Sequence, residues 1–203
     1  MTFSCLFAAA VAATSLSTAA SADAVVRFTD QSLWSTFAAT AGASVVTEDF
    51  NSVADGFYAS PFSRTVGGIT WSAAAKYGLY VQSGQLSTNF PEMITFSMSP
   101  GVQGVAGNFY CTDINFSVVP AIVQVTLNDG SAYIGFATSA SDFVGFYSTG
   151  AAISSISVSA QAIPGGSDPV FPTADNLYFA VVPAPGAGIL LAVAGLIGPR
   201  RRR

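Results

Sequence analysis

The chain has 203 residues, of which 51% are apolar and only 9% are charged, so most of it is too hydrophobic and too weakly charged to be disordered. The formal net charge is −4, and four of the seven basic residues stand together at the C-terminus, which leaves no basic surface for nucleic acid. The sequence contains no histidine, which excludes histidine-dependent catalysis and the common zinc sites.

The N-terminal residues 1–22 are typical of a secretory signal peptide. Residues 3–20 are apolar or small, and Ala20-Ser21-Ala22 forms the A-x-A pattern that precedes a cleavage site. The segment departs from the usual pattern because it contains no lysine or arginine, and a buried N-terminal helix is the alternative. We expect signal peptidase to cut after Ala22, so that Asp23 begins the mature chain.

One short helix is predicted between the first two strands. Thr29 or Asp30 can cap its N-terminus, and Gly42 ends it. Its apolar stripe consists of Leu33, Trp34, Phe37, Ala38 and Ala41. We expect this helix to cover one end of a sandwich and to bury Trp34 and Phe37.

The region between the two ends, residues 23–182, is predicted to form one β-rich domain. Its apolar runs are short and are bounded by turn residues, which is typical of an antiparallel β-sandwich or jelly roll. The predicted strands are Val25–Phe28, Val45–Phe50, Ile69–Ser72, Leu79–Gln82, Met93–Met98, Val102–Tyr110, Ile122–Leu127, Ala132–Thr138, Phe143–Tyr147, Ile153–Ala160 and Asn176–Val181. We therefore expect an all-β fold with one short helix near its N-terminus.

The clearest predicted hairpin covers Ile122–Phe136. Apolar and polar residues alternate along its first strand, and Asn128-Asp129-Gly130 supplies a turn in which glycine can take positive φ. A later strand, Ile153–Ser159, alternates apolar residues with serine. Serine on an outer face explains how a protein with so few charges stays in solution.

The C-terminal residues 183–203 combine three features of a sorting signal. Val182-Pro183-Ala184-Pro185 is followed by a run of 13 residues without a polar side chain, Gly186–Gly198. Pro199 and the arginines come next: Arg200, Arg201, Arg202 and Arg203. A full membrane span needs about 20 residues, so this pattern predicts a short, marginal transmembrane helix held by a positive cytoplasmic flank.

This tail resembles the PEP-CTERM sorting signal, with alanine in place of the glutamate between the two prolines. The resemblance implies export across the inner membrane, transient anchoring there, and recognition of the tail by an exosortase. It also implies an association with exopolysaccharide or biofilm, and a final location in the cell envelope, at the outer surface or in the extracellular matrix. A generic tail anchor is the alternative.

The region before the tail also resembles the β-rich domains found in front of this signal. The likeness lies in Thr47-Glu48-Asp49-Phe50-Asn51, in the Gly-Gly-Ile-Thr-Trp strand that starts at Gly67, and in Asp175-Asn176-Leu177. Jelly-roll domains of this kind often hold a structural calcium ion where an early strand meets the last one. The resemblance therefore implies Glu48 and Asp175 as calcium ligands, because calcium prefers carboxylate oxygens. The alternatives are that Asp175 only caps a turn and that Glu48 faces solvent. We expect no other cofactor.

Catalytic patterns are weak. A glycosidase needs two carboxyl groups at a set separation, and Glu48 and Asp49 would point to opposite faces of a strand. Several aromatic residues lie in or beside predicted loops, where flat rings could stack on sugars or pack at the rim of the core: Phe57, Tyr58, Tyr77, Tyr80, Phe90 and Tyr147.

Two functions from different classes follow. We expect a non-enzymatic protein of the cell envelope or extracellular matrix, associated with exopolysaccharide, whose partners during export are signal peptidase and an exosortase. The alternative is a carbohydrate-binding module that acts on exopolysaccharide. A hydrolase is the third and weakest possibility.

Overall fold

The computed structural model describes residues 24–182. The predicted signal peptide and all of the sorting tail after Val182 lie outside these residues. The described part contains one helix, α1 (Gln31–Thr40), and fourteen strands. The strands are β1 (Val25–Phe28), β2 (Ser44–Glu48), β3 (Gly56–Tyr58), β4 (Phe62–Val66), β5 (Ile69–Ala74), β6 (Leu79–Gln82), β7 (Gln85–Thr88), β8 (Ile94–Met98), β9 (Val102–Thr112), β10 (Ala121–Leu127), β11 (Ala132–Ala137), β12 (Phe143–Ser148), β13 (Ser155–Ala162) and β14 (Phe171–Val181).

The strands form two antiparallel sheets that share one hydrophobic core. The larger sheet has the order β1-β12-β9-β14-β7-β6-β3, and β2 also pairs with β14. The smaller sheet has the order β11-β10-β13-β8-β5-β4. The core joins Phe109 and Phe179 of the larger sheet to Trp71, Phe96 and Val123 of the smaller one. The predicted all-β fold with antiparallel sheets and one short helix is confirmed at this level.

Alternation of side chains explains why the strands of the smaller sheet are stable. In β8 the side chains of Ile94 and Phe96 are buried in the core, whereas Thr95 lies on the other face. Thr95 and Ser157 of the neighbouring strand β13 place their hydroxyl oxygens 3.1 Å apart. The outer face thus carries polar hydroxyl groups that water can reach, as the serine pattern predicts.

Helix α1 begins where the sequence predicts it, but the expectation that it covers one end of the sheets is wrong. The carboxylate of Asp30 accepts a hydrogen bond from the Leu33 N–H (2.9 Å), which confirms this residue as the N-cap, and Gly42 follows the helix with φ 75°. The helix lies on the outer face of the larger sheet, where the Trp34 Nε1 donates to the Phe146 carbonyl (3.0 Å). The expectation that Leu33 belongs to the buried stripe is wrong, because the contact stripe centres on Trp34 and leaves Leu33 63% exposed.

Strands β10 and β11 form the predicted hairpin. Val125 pairs with Tyr133, and Gly130 in the turn has φ 89°. Strands β3, β4 and β7 were not predicted, and β9 and β14 are longer than expected. Within residues 24–182, no helix is both long and apolar enough to cross a membrane.

Candidate functional site

The early strand β2 and the last strand β14 are neighbours, as the calcium hypothesis requires. Glu48 lies opposite Leu177 in their antiparallel register. The side chain of Glu48 is buried, with 3% of its surface exposed, so the alternative that it faces solvent is wrong. Its burial demands a partner for the charge, because an unpaired buried carboxylate is very costly.

The smaller sheet supplies that partner. Arg64 of β4 donates to Glu48 Oε1 (3.3 Å), and the Trp71 Nε1 of β5 donates to Oε2 (3.2 Å). The backbone N–H of Phe50 donates to Oε1 (3.1 Å). Both carboxylate oxygens therefore have donors within the protein, and a calcium ion that bound Glu48 would have to compete with the guanidinium of Arg64.

The side chain of Asp175 lies on the outer face of the larger sheet, whereas that of Glu48 lies on the core face. It follows Ala174, which is part of the core, so alternation turns its side chain outward. Burial raises the pKa of Asp175, the Asn176 N–H opposes that rise, and the charge of Asp49 adds to it. The acidic neighbour of Asp175 is thus Asp49, whereas Glu48 points into the core. Within residues 24–182, no group of three or more His, Cys, Asp or Glu side chains is placed to hold a metal ion, and the calcium site stays a prediction.

The residues of the two processing signals lie outside the described part of the chain, except Val182. Ala20 and Ala22 precede the described part of the chain, and the sorting motif from Pro183 to Arg203 follows it. Val182 directly follows β14 and is partly exposed. The sorting and cleavage assignments therefore stay predictions from the sequence.

The predicted surface aromatics divide into two groups. Phe57, Tyr77, Tyr80 and Phe90 are exposed, which keeps them available for contact with a ligand. Tyr147 is buried against Phe37 of the helix, with ring centroids 5.1 Å apart, so the rim-packing alternative holds for it. Tyr58 is half-buried against Phe62 at 4.6 Å.

A cavity of about 210 Å³ lies where strands β6 and β7 meet the loop that joins β9 to β10. Its lining combines aromatic and uncharged polar side chains with one carboxylate: Tyr80, Gln82, Ser87, Thr88, Asn89, Asp113, Ile114, Phe116 and Phe171. Tyr80 alternates with the core residues Leu79 and Val81, so it stands on the outer face of the larger sheet. We call this cavity the Tyr80 pocket.

Phe116 of this loop packs against Tyr80, with ring centroids 5.8 Å apart and the rings tilted by 49°. The sequence reasoning missed it. Asp113, Asn115 and Ser117 around it signal a local turn, but nothing in the sequence shows that this turn meets strand β6.

A second, more open cavity of about 260 Å³ lies beside Tyr58, Phe62 and Arg64. Among residues 24–182, Arg64 is the one cation that lines it, and both terminal nitrogens of the guanidinium are engaged: Nη1 donates to Glu48 (3.3 Å) and Nη2 to Ser52 (2.7 Å). The Tyr58 hydroxyl donates to the Ala54 carbonyl (2.7 Å). Few polar atoms of this cavity are left for a ligand, so the Tyr80 pocket is the better candidate.

Comparisons with protein-family models, with curated proteins and with solved structures gave no match to this chain.

Proposed function

We propose that this chain is an exported, non-enzymatic protein of the cell envelope or extracellular matrix that is sorted by its C-terminal signal and associated with exopolysaccharide. The observation that carries the proposal is the tail: a Pro183-Ala184-Pro185 motif, an apolar run and four arginines. An A-x-A site at Ala20–Ala22 behind an apolar N-terminal run supports export. Signal peptidase and an exosortase are the partners that this route requires, with transient anchoring in the inner membrane.

The folded domain is consistent with a structural role outside the cell. Its two sheets bury an extensive apolar core, and their outer faces carry paired hydroxyl groups. For example, the hydroxyl oxygens of Thr65 and Thr70 lie 2.9 Å apart. Within the proposal, the two sheets form a sandwich of the jelly-roll type.

A truncation after Val182 tests the sorting proposal. We expect the truncated protein to lose its place at the cell surface or in the matrix, whereas a variant with Arg27→Ala in the folded domain keeps it. If the truncated protein reaches the same place in the same amount as the full chain, the tail is not a sorting signal.

The second candidate function is carbohydrate binding, and the Tyr80 pocket favours it. Aromatic walls that face uncharged hydrogen-bonding side chains are the surface that a sugar ring needs, since its C–H face is apolar and its rim carries hydroxyls. A glycan array probed with the full-length chain tests this function. Binding to polysaccharide or oligosaccharide spots supports it, and a blank array excludes it.

A further inference from the structure

We propose that the Tyr80 pocket binds a single uncharged pyranose ring of a polysaccharide. The proposal rests on the second candidate function and specifies its site and its class of ligand.

The aromatic walls come from two distant parts of the chain. Tyr80 lies on β6, and Phe116 lies on the loop between β9 and β10. Their rings are tilted by 49° with centroids 5.8 Å apart, which is an aromatic pair in contact, so a sugar ring would stack on the exposed face of Tyr80 and not between the two rings. Tyr80 is 36% exposed even with Phe116 beside it, so part of its ring is open to solvent. An apolar sugar face can cover that exposed area.

The loop holds Phe116 in an unfavourable conformation. Its φ is 60°, a region that bulky side chains rarely adopt. Asp113 stabilises the loop because one carboxylate oxygen accepts the N–H groups of Asn115 (2.8 Å) and Ser117 (2.9 Å). A second pair of backbone bonds joins Asp113 to Ser117 (3.0 Å) and to Phe116 (3.1 Å). Backbone strain held by this many bonds is typical of sites where a side chain must be positioned for a ligand.

Polar groups at the lining are still free to bind. Within residues 24–182, no hydrogen bond engages the side-chain amide of Gln82, and that of Asn89 makes one long bond, to the Tyr77 carbonyl (3.4 Å). Sugar hydroxyls, which both donate and accept, can satisfy such groups.

The charge and size of the pocket select the ligand. Among residues 24–182, no lysine or arginine lines it, and the carboxylate that does, Asp113, has its Oδ1 bonded to the backbone of its own loop. An acidic sugar would find no counter-ion here, whereas an uncharged sugar needs none. Pockets for drug-sized ligands measure about 300–1,000 Å³. A cavity of about 210 Å³ therefore fits one ring of a longer chain.

The test measures binding of the full-length chain to immobilised neutral glucans and galactans, and to a uronic-acid polymer. We expect binding to at least one neutral polymer and weak or no binding to the acidic one. Tyr80→Ala and Phe116→Ala should each weaken binding about tenfold or more, as expected for an aromatic hot spot. The matched controls are Tyr77→Ala and Phe136→Ala, which remove exposed rings outside the pocket and should leave binding unchanged.

Thermal melting of each variant verifies its fold, and Gln82→Ala replaces any pocket variant that fails to fold. If the wild type binds neutral polymers and the pocket variants bind equally well, the site is wrong while carbohydrate binding stands. If the wild type binds only the acidic polymer, the ligand class is wrong. If it binds none of the polymers, both the inference and the second candidate function are overturned.

Discussion

Glu48 and Arg64 form an ion pair between the two sheets, with Nη1 and Oε1 3.3 Å apart. Glu48 is almost fully buried, whereas Arg64 is 27% exposed and reaches solvent at the edge of the smaller sheet. The pair links strand β2, which is bound to the last strand, to strand β4 of the opposite sheet. It therefore fixes how the two sheets meet at this side of the core.

Replacing Arg64 tests this link. Arg64→Met keeps an apolar stem but leaves the Glu48 carboxylate with only the Trp71 and Phe50 N–H donors. We expect a loss of about 1–3 kcal/mol in the free energy of unfolding, measured by urea denaturation. Ser63→Ala, on the exposed face of β4, is the control and should change it by less than about 0.5 kcal/mol. Equal stability of Arg64→Met and wild type would show that the pair does not join the sheets.

Asp175 makes stability depend on pH. Burial and the charge of Asp49 raise the pKa of Asp175 above its ordinary value of 3.8, so the folded state holds this proton more tightly than the unfolded chain. Its contribution to stability is therefore largest at acidic pH and falls as the pH rises through the raised pKa. We expect Asp175→Asn to raise the melting temperature at pH 7 and to change it little at pH 3.

Asp129→Asn, in the exposed β10–β11 turn, is the control for this experiment, because asparagine keeps the oxygen that accepts the Ser131 N–H. It should leave the melting temperature nearly unchanged at both pH values. A melting temperature of Asp175→Asn that is lower than that of wild type at pH 7 would mean that the ionised carboxylate has a stabilising partner.

Tyr110 and Tyr58 allow a comparison of a tyrosine hydroxyl without a hydrogen bond and one that makes a hydrogen bond. Tyr110 is fully buried, and its hydroxyl has no hydrogen-bond partner within residues 24–182. The Tyr58 hydroxyl donates to the Ala54 carbonyl (2.7 Å). We expect Tyr110→Phe to stabilise the protein by about 1 kcal/mol and Tyr58→Phe to destabilise it by a similar amount. If urea denaturation shows that Tyr110→Phe lowers the free energy of unfolding more than Tyr58→Phe does, the Tyr110 hydroxyl makes a hydrogen bond in solution.

Trp34 is the largest buried side chain of helix α1. Trp34 packs edge-on against Phe143, with ring centroids 6.3 Å apart, and its indole nitrogen bonds to the backbone of β12. We expect Trp34→Ala to cost about 3–5 kcal/mol, as other deletions of large buried side chains do. Leu33→Ala, one residue away on the exposed side, should cost less than about 0.5 kcal/mol. Similar losses in both variants would contradict the position of the helix.

Local signals predict much of this fold. The apolar β1 strand, the cap at Asp30 and the turn at Gly130 are found where the sequence places them, since each depends on neighbours in the chain. Strand β4 was missed because Arg64 interrupts its alternation with a charge. That charge lies toward the core only because Glu48, on the other sheet, neutralises it.

The candidate site was less predictable, because it too depends on contacts between residues that are far apart in the chain. Tyr80 could be selected as an exposed aromatic from its place in the chain. Phe116 could not, because its role depends on a left-handed loop residue and on the packing of that loop against β6. Strand β7 contains Ser87 and Thr88 and only one apolar residue, Leu86, so its sequence does not show the apolar alternation that predicts a strand. The alternation of apolar and polar residues along one strand does not reveal long-range contacts of this kind.

The central claim, export followed by tail-directed sorting, is tested most directly by the intact mass of the protein recovered from the cell surface or matrix of a host with an exosortase. We predict a mature chain that begins at Asp23 and has lost the terminal arginines, Arg200–Arg203. A recovered protein whose mass extends from Met1 to Arg203 would contradict both processing steps, and with them the proposed route.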